Sequence, residues 1–310
     1  MIRIIFLVCA LIALSSAHGA ESEAQWLDKD SYTEVARWMI EQPDTEMRAA
    51  GLAVLAETGD SGSAIELDRF ISEVESLLED EPTGAAVFMV AQGCHQLDLI
   101  DECSRMGVPE AIDRLDGGNP MAAGLFHEPG SPEYRQVLIT AESIDDHYPE
   151  AVSAWFEAFV ARDPEGMEEG TELLMATSVA LAYALPAIQN VVQSCKSAIG
   201  SDDELDGACQ RLGQQMRESG RTMLLQNIGY GIARARAERV GNKALVERIR
   251  SEKEAMTHPA ACLSQSATEL LGTDLAAQRR FLAEMRARGE IQAFEMLVDQ
   301  YGSSCDADEE

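Results

Sequence analysis

The chain is poor in positive charge. Its 310 residues hold 24 Lys and Arg against 54 Asp and Glu, a net charge of −30. Such a field repels a phosphate backbone, so nucleic acid is not an expected partner. The deficit is uneven. Residues 1–194 carry 9 cations against 35 acids, a net of −26, and residues 195–310 carry 15 against 19, a net of −4. The character of the chain therefore changes between Arg162 and Ser201. Strand signals are also missing, since no stretch alternates apolar and polar residues between hairpin turns. No CxxC, HExxH or GxSxG occurs, and no Cys/His cluster has ligand spacing. These gaps remove sheet folds, structural zinc, zincin-type proteolysis and a nucleophile elbow from the expectations. Gly229-Tyr230-Gly231 begins a GxGxxG, but Arg234 stands where the last glycine belongs and no strand precedes it, so a dinucleotide site is not expected. No catalytic, cofactor or metal residue is assigned.

What is present starts with an export signal. Met1-Ile2-Arg3 is a short positive start, Ile4 to Leu14 is apolar, and Ser15 to Ala20 supplies small residues. Residues 1–19 read as a signal peptide, with cleavage after Ala17 or Gly19. The run is shorter than the ~20 residues a bilayer needs, so no integral membrane segment is expected once it is removed. Cys9 follows Val8, which does not suit a lipoprotein. The apolar stretch from Leu173 to Ile188, interrupted by Thr177, Ser178 and Pro186, reads as a buried core helix. About 290 residues remain, with 46% hydrophobic content across the chain, enough for a real core. The mature protein is expected in a periplasm or outside the cell.

Six cysteines then remain: Cys94, Cys103, Cys195, Cys209, Cys262 and Cys305. An even number in an exported chain argues for disulfides. Sequential pairing is expected, because each bridge then crosses a bend between neighbouring helices: Cys94–Cys103, Cys195–Cys209 and Cys262–Cys305.

Apolar residues recur at helical spacing throughout. Examples are Val35, Trp38 and Met39, then Phe70, Val74 and Leu77, and later Trp155, Phe156 and Phe159. X-Pro dipeptides mark helix starts at Pro82, Pro109, Pro120, Pro132, Pro149 and Pro164. The expected fold is all-α, a stack of antiparallel helical hairpins stapled by disulfides. Its regions are an acidic hairpin region 20–165, a helical region 166–302 and an acidic tail 303–310. Helices are expected from Ser131 to Ile144, from Pro164 through Val192, and from Ala244 to Met256 with a break at His258-Pro259.

The spacings Pro43 to Pro82 and Pro82 to Pro120 are 39 and 38 residues. Leu55-Ala56-Glu57-Thr58-Gly59-Asp60, with Ala64 five positions past the glycine, resembles the inter-helix turn of tetratricopeptide and Sel1-like repeats. Val240-Gly241-Asn242-Lys243-Ala244-Leu245 and Arg288-Gly289-Glu290-Ile291-Gln292-Ala293-Phe294 are looser matches. The family's Trp…Leu-Gly…Tyr signature is absent. The resemblance, over about a third of the chain, implies a helix-pair superhelix whose concave face binds peptides or proteins. An irregular α-bundle would give many of the same local signals and stays open.

Two charged constellations remain. His127-Glu128 and Asp145-Asp146-His147 occupy turns on either side of one helix. At ~15 residues that helix would be about 22 Å long, which parts the turns. Both histidines are therefore expected in solvent, not in a metal or acid–base site. Arg221 to Lys253 holds eight cations against three glutamates, a net of +5. It is expected to be a solvated face or to pair with the acidic half. The function expected is that of an exported helical-repeat protein binding a protein or peptide of the cell envelope. Alternatives are an all-α enzyme using carboxylates and a histidine, or an acidic inhibitor or immunity-type protein.

Overall fold

Capping residues and apolar spacing account for most helix boundaries. A computed structural model of the chain describes residues 29–58, 64–165, 167 and 170–302. The described residues form sixteen α-helices and no strand. They are α1 Lys29–Ile40, α2 Thr45–Thr58, α3 Ala64–Glu79, α4 Gly84–Gln96, α5 Ile100–Arg105, α6 Val108–Leu115, α7 Pro120–Ala123 and α8 Pro132–Thr140. The second set is α9 Tyr148–Arg162, α10 Glu172–Ala198, α11 Asp203–Ser219, α12 Met223–Arg239, α13 Lys243–Ala261, α14 Gln265–Thr273, α15 Leu275–Arg288 and α16 Glu290–Tyr301. Prolines stand in the first turn of α6, α7, α8 and α9, where the missing N–H has no intrahelical partner to lose. Side-chain oxygens of Thr83, Ser131, Asp202, Thr222, Asn242, Ser264 and Asp274 accept N–H groups of the first turns they precede.

Three boundaries differ from those the sequence suggests. Helix α8 ends at Thr140, and residues 141–147 are non-helical. In that segment the Asp145 carboxylate accepts the His147 N–H at 3.0 Å and Asp146 accepts the Tyr148 N–H at 3.2 Å, local bonds that compete with a helix. The long helix α10 begins at Glu172 and not near Pro164, because Asp163 caps α9 with φ 45 and Gly170 turns the chain with φ 89. Helix α13 runs through Pro259 to Ala261. The proline falls in the last turn, where little helix lies beyond it to break.

Helix α2 packs between α1 and α4. Helix α9 touches α1, α2, α4, α10 and α15. Helix α10 reaches α4, α7, α9, α11, α12 and α14. The hairpins α11–α12 and α12–α13 follow, and α16 packs on both α13 and α15. One buried cluster includes Leu52, Phe88, Met121, Trp155, Phe156, Phe159, Val191, Leu212 and Phe281. It therefore continues through both the acidic first half and the less acidic second half.

Helix α10 bends by 46° between Glu172–Ala182 and Ala187–Ala198, with Pro186 at the break. No single helix among the described residues is long and apolar enough to cross a membrane. The bent pair passes on length and composition alone, and Ala176, Ala180, Ala187, Val191 and Cys195 along it are buried in the core. Two of the expected disulfides are present. Cys94–Cys103 ties α4 to α5 with Cα atoms 6.2 Å apart, and Cys195–Cys209 ties α10 to α11 at 5.5 Å. Cys262 is also disulfide-bonded. Its expected partner Cys305, the signal segment 1–19 with Cys9, and the tail 303–310 lie outside the described residues.

Candidate functional site

Residues 141–147 anchor a buried polar cluster. Asp146 is 2% exposed and Thr222 fully buried. The Thr222 hydroxyl donates to Asp146 Oδ2 at 2.6 Å, while its oxygen caps α12 by accepting the Leu225 N–H at 3.0 Å. Next to it, the Arg221 guanidinium grips both oxygens of Glu150, at 2.7 and 2.8 Å, and Asp145 Oδ2 at 2.9 Å. Its backbone carbonyl accepts the Glu290 N–H at 2.6 Å. Glu290 Oε2 in turn accepts the Met223 N–H at 2.7 Å. The turn before α9 is thereby joined to the starts of α12 and α16.

His147 closes the other side. Its backbone is left-handed, φ 48, and its ring lies 5.4 Å from that of Phe88. Its Nε2 is 2.8 Å from Asp116 Oδ1, and both side chains are largely buried. Asn119 donates to Asp116 Oδ2 at 2.9 Å and to the Asp145 carbonyl at 2.7 Å, which fixes that carboxylate. The sequence placed His147 in solvent. The structure corrects this: α8 is nine residues long, and the segment after it folds back over α4 and α6. His127, on the turn after α7, is half-buried and takes no part in the cluster, and His258 is exposed beside Cys262.

The electrostatics follow from burial. Asp146 has its carboxyl pushed up to about 6 by burial first and by the neighbouring Asp145 charge second, against the bonds from Thr222 and Tyr148. Glu290 is pushed up to about 7, again by burial first, with the Met223 N–H opposing and Asp146 adding. For His147 burial pulls downward, but the bond to Asp116 and the charges of Asp116, Asp145 and Glu150 outweigh it and raise the imidazole to about 8. Arg221 stays protonated for the same reason, since Glu150 and Asp145 outweigh its desolvation. Tyr148, whose hydroxyl bonds Thr177, is held well above its ordinary value by burial and by Glu290.

Chemically, the cluster can store protons and clamp helices. Nothing in the spacing of the residues announces it, because Arg221 lies 76 and 71 positions from Asp145 and Glu150. Asp145-Asp146-His147 stood out in the sequence, though as a solvent-facing turn, and Arg221 stood in a basic stretch that could pair with the acidic half. No group of three or more His, Cys, Asp or Glu with metal-holding geometry exists among the described residues.

The basic stretch divides. Arg221 is internal, as described. Arg234, Arg248 and Arg250 pair with glutamates one turn away on their own helices, and Arg236 with Asp206 on α11. Cations from outside the stretch also reach the acidic half: Arg279 binds Glu157 at 2.8 Å and Arg286 binds Glu46 at 2.9 Å. Of the two glycines, Gly229 sits where a Cβ would meet the Gly213 carbonyl at 2.6 Å, so it lets α11 and α12 approach, whereas Gly231 faces open space. A shallow hollow of about 390 Å³ is lined by Arg288, Gln292, Glu295, Met296, Asp299 and Gln300. Its lining comes from the end of α15 and from α16, and none of these residues belongs to the cluster.

Comparison of the chain with protein-family models, with curated proteins and with solved structures returns no match.

Proposed function

We propose that the chain is an exported, disulfide-stapled helical protein that binds a cationic protein or peptide through the acidic surface of its first half. The observation that supports this is the state of the charges there. Arg48 is held by Asp80 and Glu73, Arg105 by Glu102, Arg135 by Asp202 and Glu204, and Arg162 by Glu34. Meanwhile Glu75, Glu79, Glu81, Asp98, Asp101, Glu110 and Asp113 are all exposed. The negative field of this half is therefore left for a partner, and such a field raises association rates and selects against acidic surfaces. Two buried disulfides suit an oxidising compartment, in keeping with the signal-like N-terminus. The architecture on this reading is an irregular bundle of hairpins: α9 and α10 contact helices far along the chain, where a repeat stack would restrict contacts to neighbouring units.

The test is affinity capture by the mature protein from an envelope extract, with elution along a salt gradient. A stoichiometric basic partner released by rising salt supports the reading. No stoichiometric partner, or affinity indifferent to salt, overturns it. A partner whose activity is blocked on binding would make the protein an inhibitor acting through the same surface.

A second reading, an enzyme with His147 as base and Asp116 orienting it, draws on the 2.8 Å bond between them beside buried Asp146. Modification by diethyl pyrocarbonate above pH 8, where the imidazole is neutral and reactive, followed by peptide mass spectrometry separates the two readings. A working base is open to a small reagent, whereas a structural histidine is protected in the folded protein.

A further inference from the structure

We propose that the Asp146–Thr222–Glu290 node is a proton-operated latch, which clamps the starts of α12 and α16 onto the turn before α9 when its carboxyls are protonated and loosens them when both are ionised. The inference goes beyond the binding reading and does not depend on any partner.

The geometry carries it. Five carboxyl groups converge at the junction: Asp116 from the loop after α6, Asp145 and Asp146 from the turn before α9, Glu150 from α9, and Glu290 from α16. Among the described residues, two cations reach them. Arg221 is committed to Asp145 and Glu150, and His147 to Asp116. Among the described residues the hydrogen-bond donors to Asp146 and Glu290 are neutral, the Thr222 hydroxyl and the N–H groups of Tyr148 and Met223, while the His147 charge, bonded to Asp116, acts on Asp146 without a bond to it. Tyr148, from α9, faces both and supplies no positive charge. Arg286, from α15, offers its backbone carbonyl to Arg221 and sends its guanidinium to Glu46 on α2.

Asp146 and Glu290 therefore flank the first residues of α12, one on Thr222 and the other on Met223. The positive end of that helix eases one negative charge there, but two in a dry site repel each other. Protonating one removes the repulsion. The shifts described above agree in direction, and they place the change between mildly acid and neutral pH.

Two measurements test it. In the wild-type protein, carboxyl-carbon NMR should show Asp146 and Glu290 titrating with midpoints near 6 and 7, coupled to each other. Amide exchange of the first turns of α12 and α16 should speed up by about tenfold or more from pH 5.5 to pH 8, beyond the intrinsic rate change and beyond any change in α1–α4. In Asp146→Asn and Glu290→Gln, which keep the hydrogen-bonding shape, that local acceleration should disappear. Midpoints below about 5 for both carboxyls overturn the latch. So does local exchange that accelerates equally in the variants, or that changes in step with the whole molecule. The wild-type titration decides the matter even if a variant fails to fold.

Discussion

Arg221 holds Glu150 by two parallel bonds and Asp145 by a third while only about a quarter of its side chain meets solvent. Truncating it leaves Glu150, 8% exposed, without its hydrogen-bonded counter-charge. Arg221→Ala is expected to destabilise the fold by about 3–5 kcal/mol in urea unfolding, the range for breaking a buried pair by removing one partner. Arg221→Lys should recover only part of this, because an ammonium cannot reproduce the planar fork. The two glycines of α12 give an opposed pair of outcomes. Gly229→Ala meets backbone oxygen at 2.6 Å and the Met216 Cβ at 2.8 Å, so it should cost about 1–3 kcal/mol through overpacking. Gly231→Ala meets nothing within 4 Å and should gain up to about 1 kcal/mol from helix propensity. Equal effects at both sites would contradict the close approach of α11 and α12.

At the scale of elements, the disulfides do different work from the core. Cys94–Cys103 closes a separation of 9 residues and Cys195–Cys209 one of 14, and all four sulfurs are buried. Replacing Cys195 and Cys209 together by Ser should cost about 3 kcal/mol, mostly by freeing the unfolded chain. Burial also predicts that dithiothreitol reduces neither bridge in the native protein on the time scale on which it reduces both in denaturant, measured by trapping free thiols. Rapid native reduction would mean that α4–α5 or α10–α11 opens locally. The turn before α9 is the element where local signals and fold disagree. Its apolar residues extend the α8 pattern, yet Asp145 and Asp146 take the N–H groups of His147 and Tyr148 and end the helix early.

For the whole molecule, charge and protons act together. Asp146 and Glu290 have raised values in the folded state, so each stabilises the fold increasingly as pH falls from about 7 toward the unfolded values near 4. His147 is raised to about 8, so its contribution is complete below about 6.5 and is lost as pH climbs through 8. Asp202 has the opposite sign. Its bonds to Arg135 lower it to about 2, so its contribution is present above about 4 and is lost as pH falls through 2. With a net charge of −30 relaxing toward the sequence pI of about 4.4, thermal stability should increase from pH 8 to pH 5.5. Added salt should raise the melting temperature most at pH 8, where self-repulsion is greatest. Scanning calorimetry over that range checks both, and a stability that falls on mild acidification would contradict the assignment of the three groups.

The sequence by itself determined the class and the staples. Helical spacing around Phe70, Trp155 and Phe159 and prolines at first turns are local signals, and short-range physics reads them the same way in any context. The bridges Cys94–Cys103 and Cys195–Cys209 were legible because they cross single bends. Only the tertiary structure decided that α9 and α10 gather distant helices into one core, and that Asp116, Asp146, Arg221 and Glu290 meet. Those residues come from four separate parts of the chain. Their protonation is set by the absence of water around them, a property of the packed volume and not of any stretch of residues.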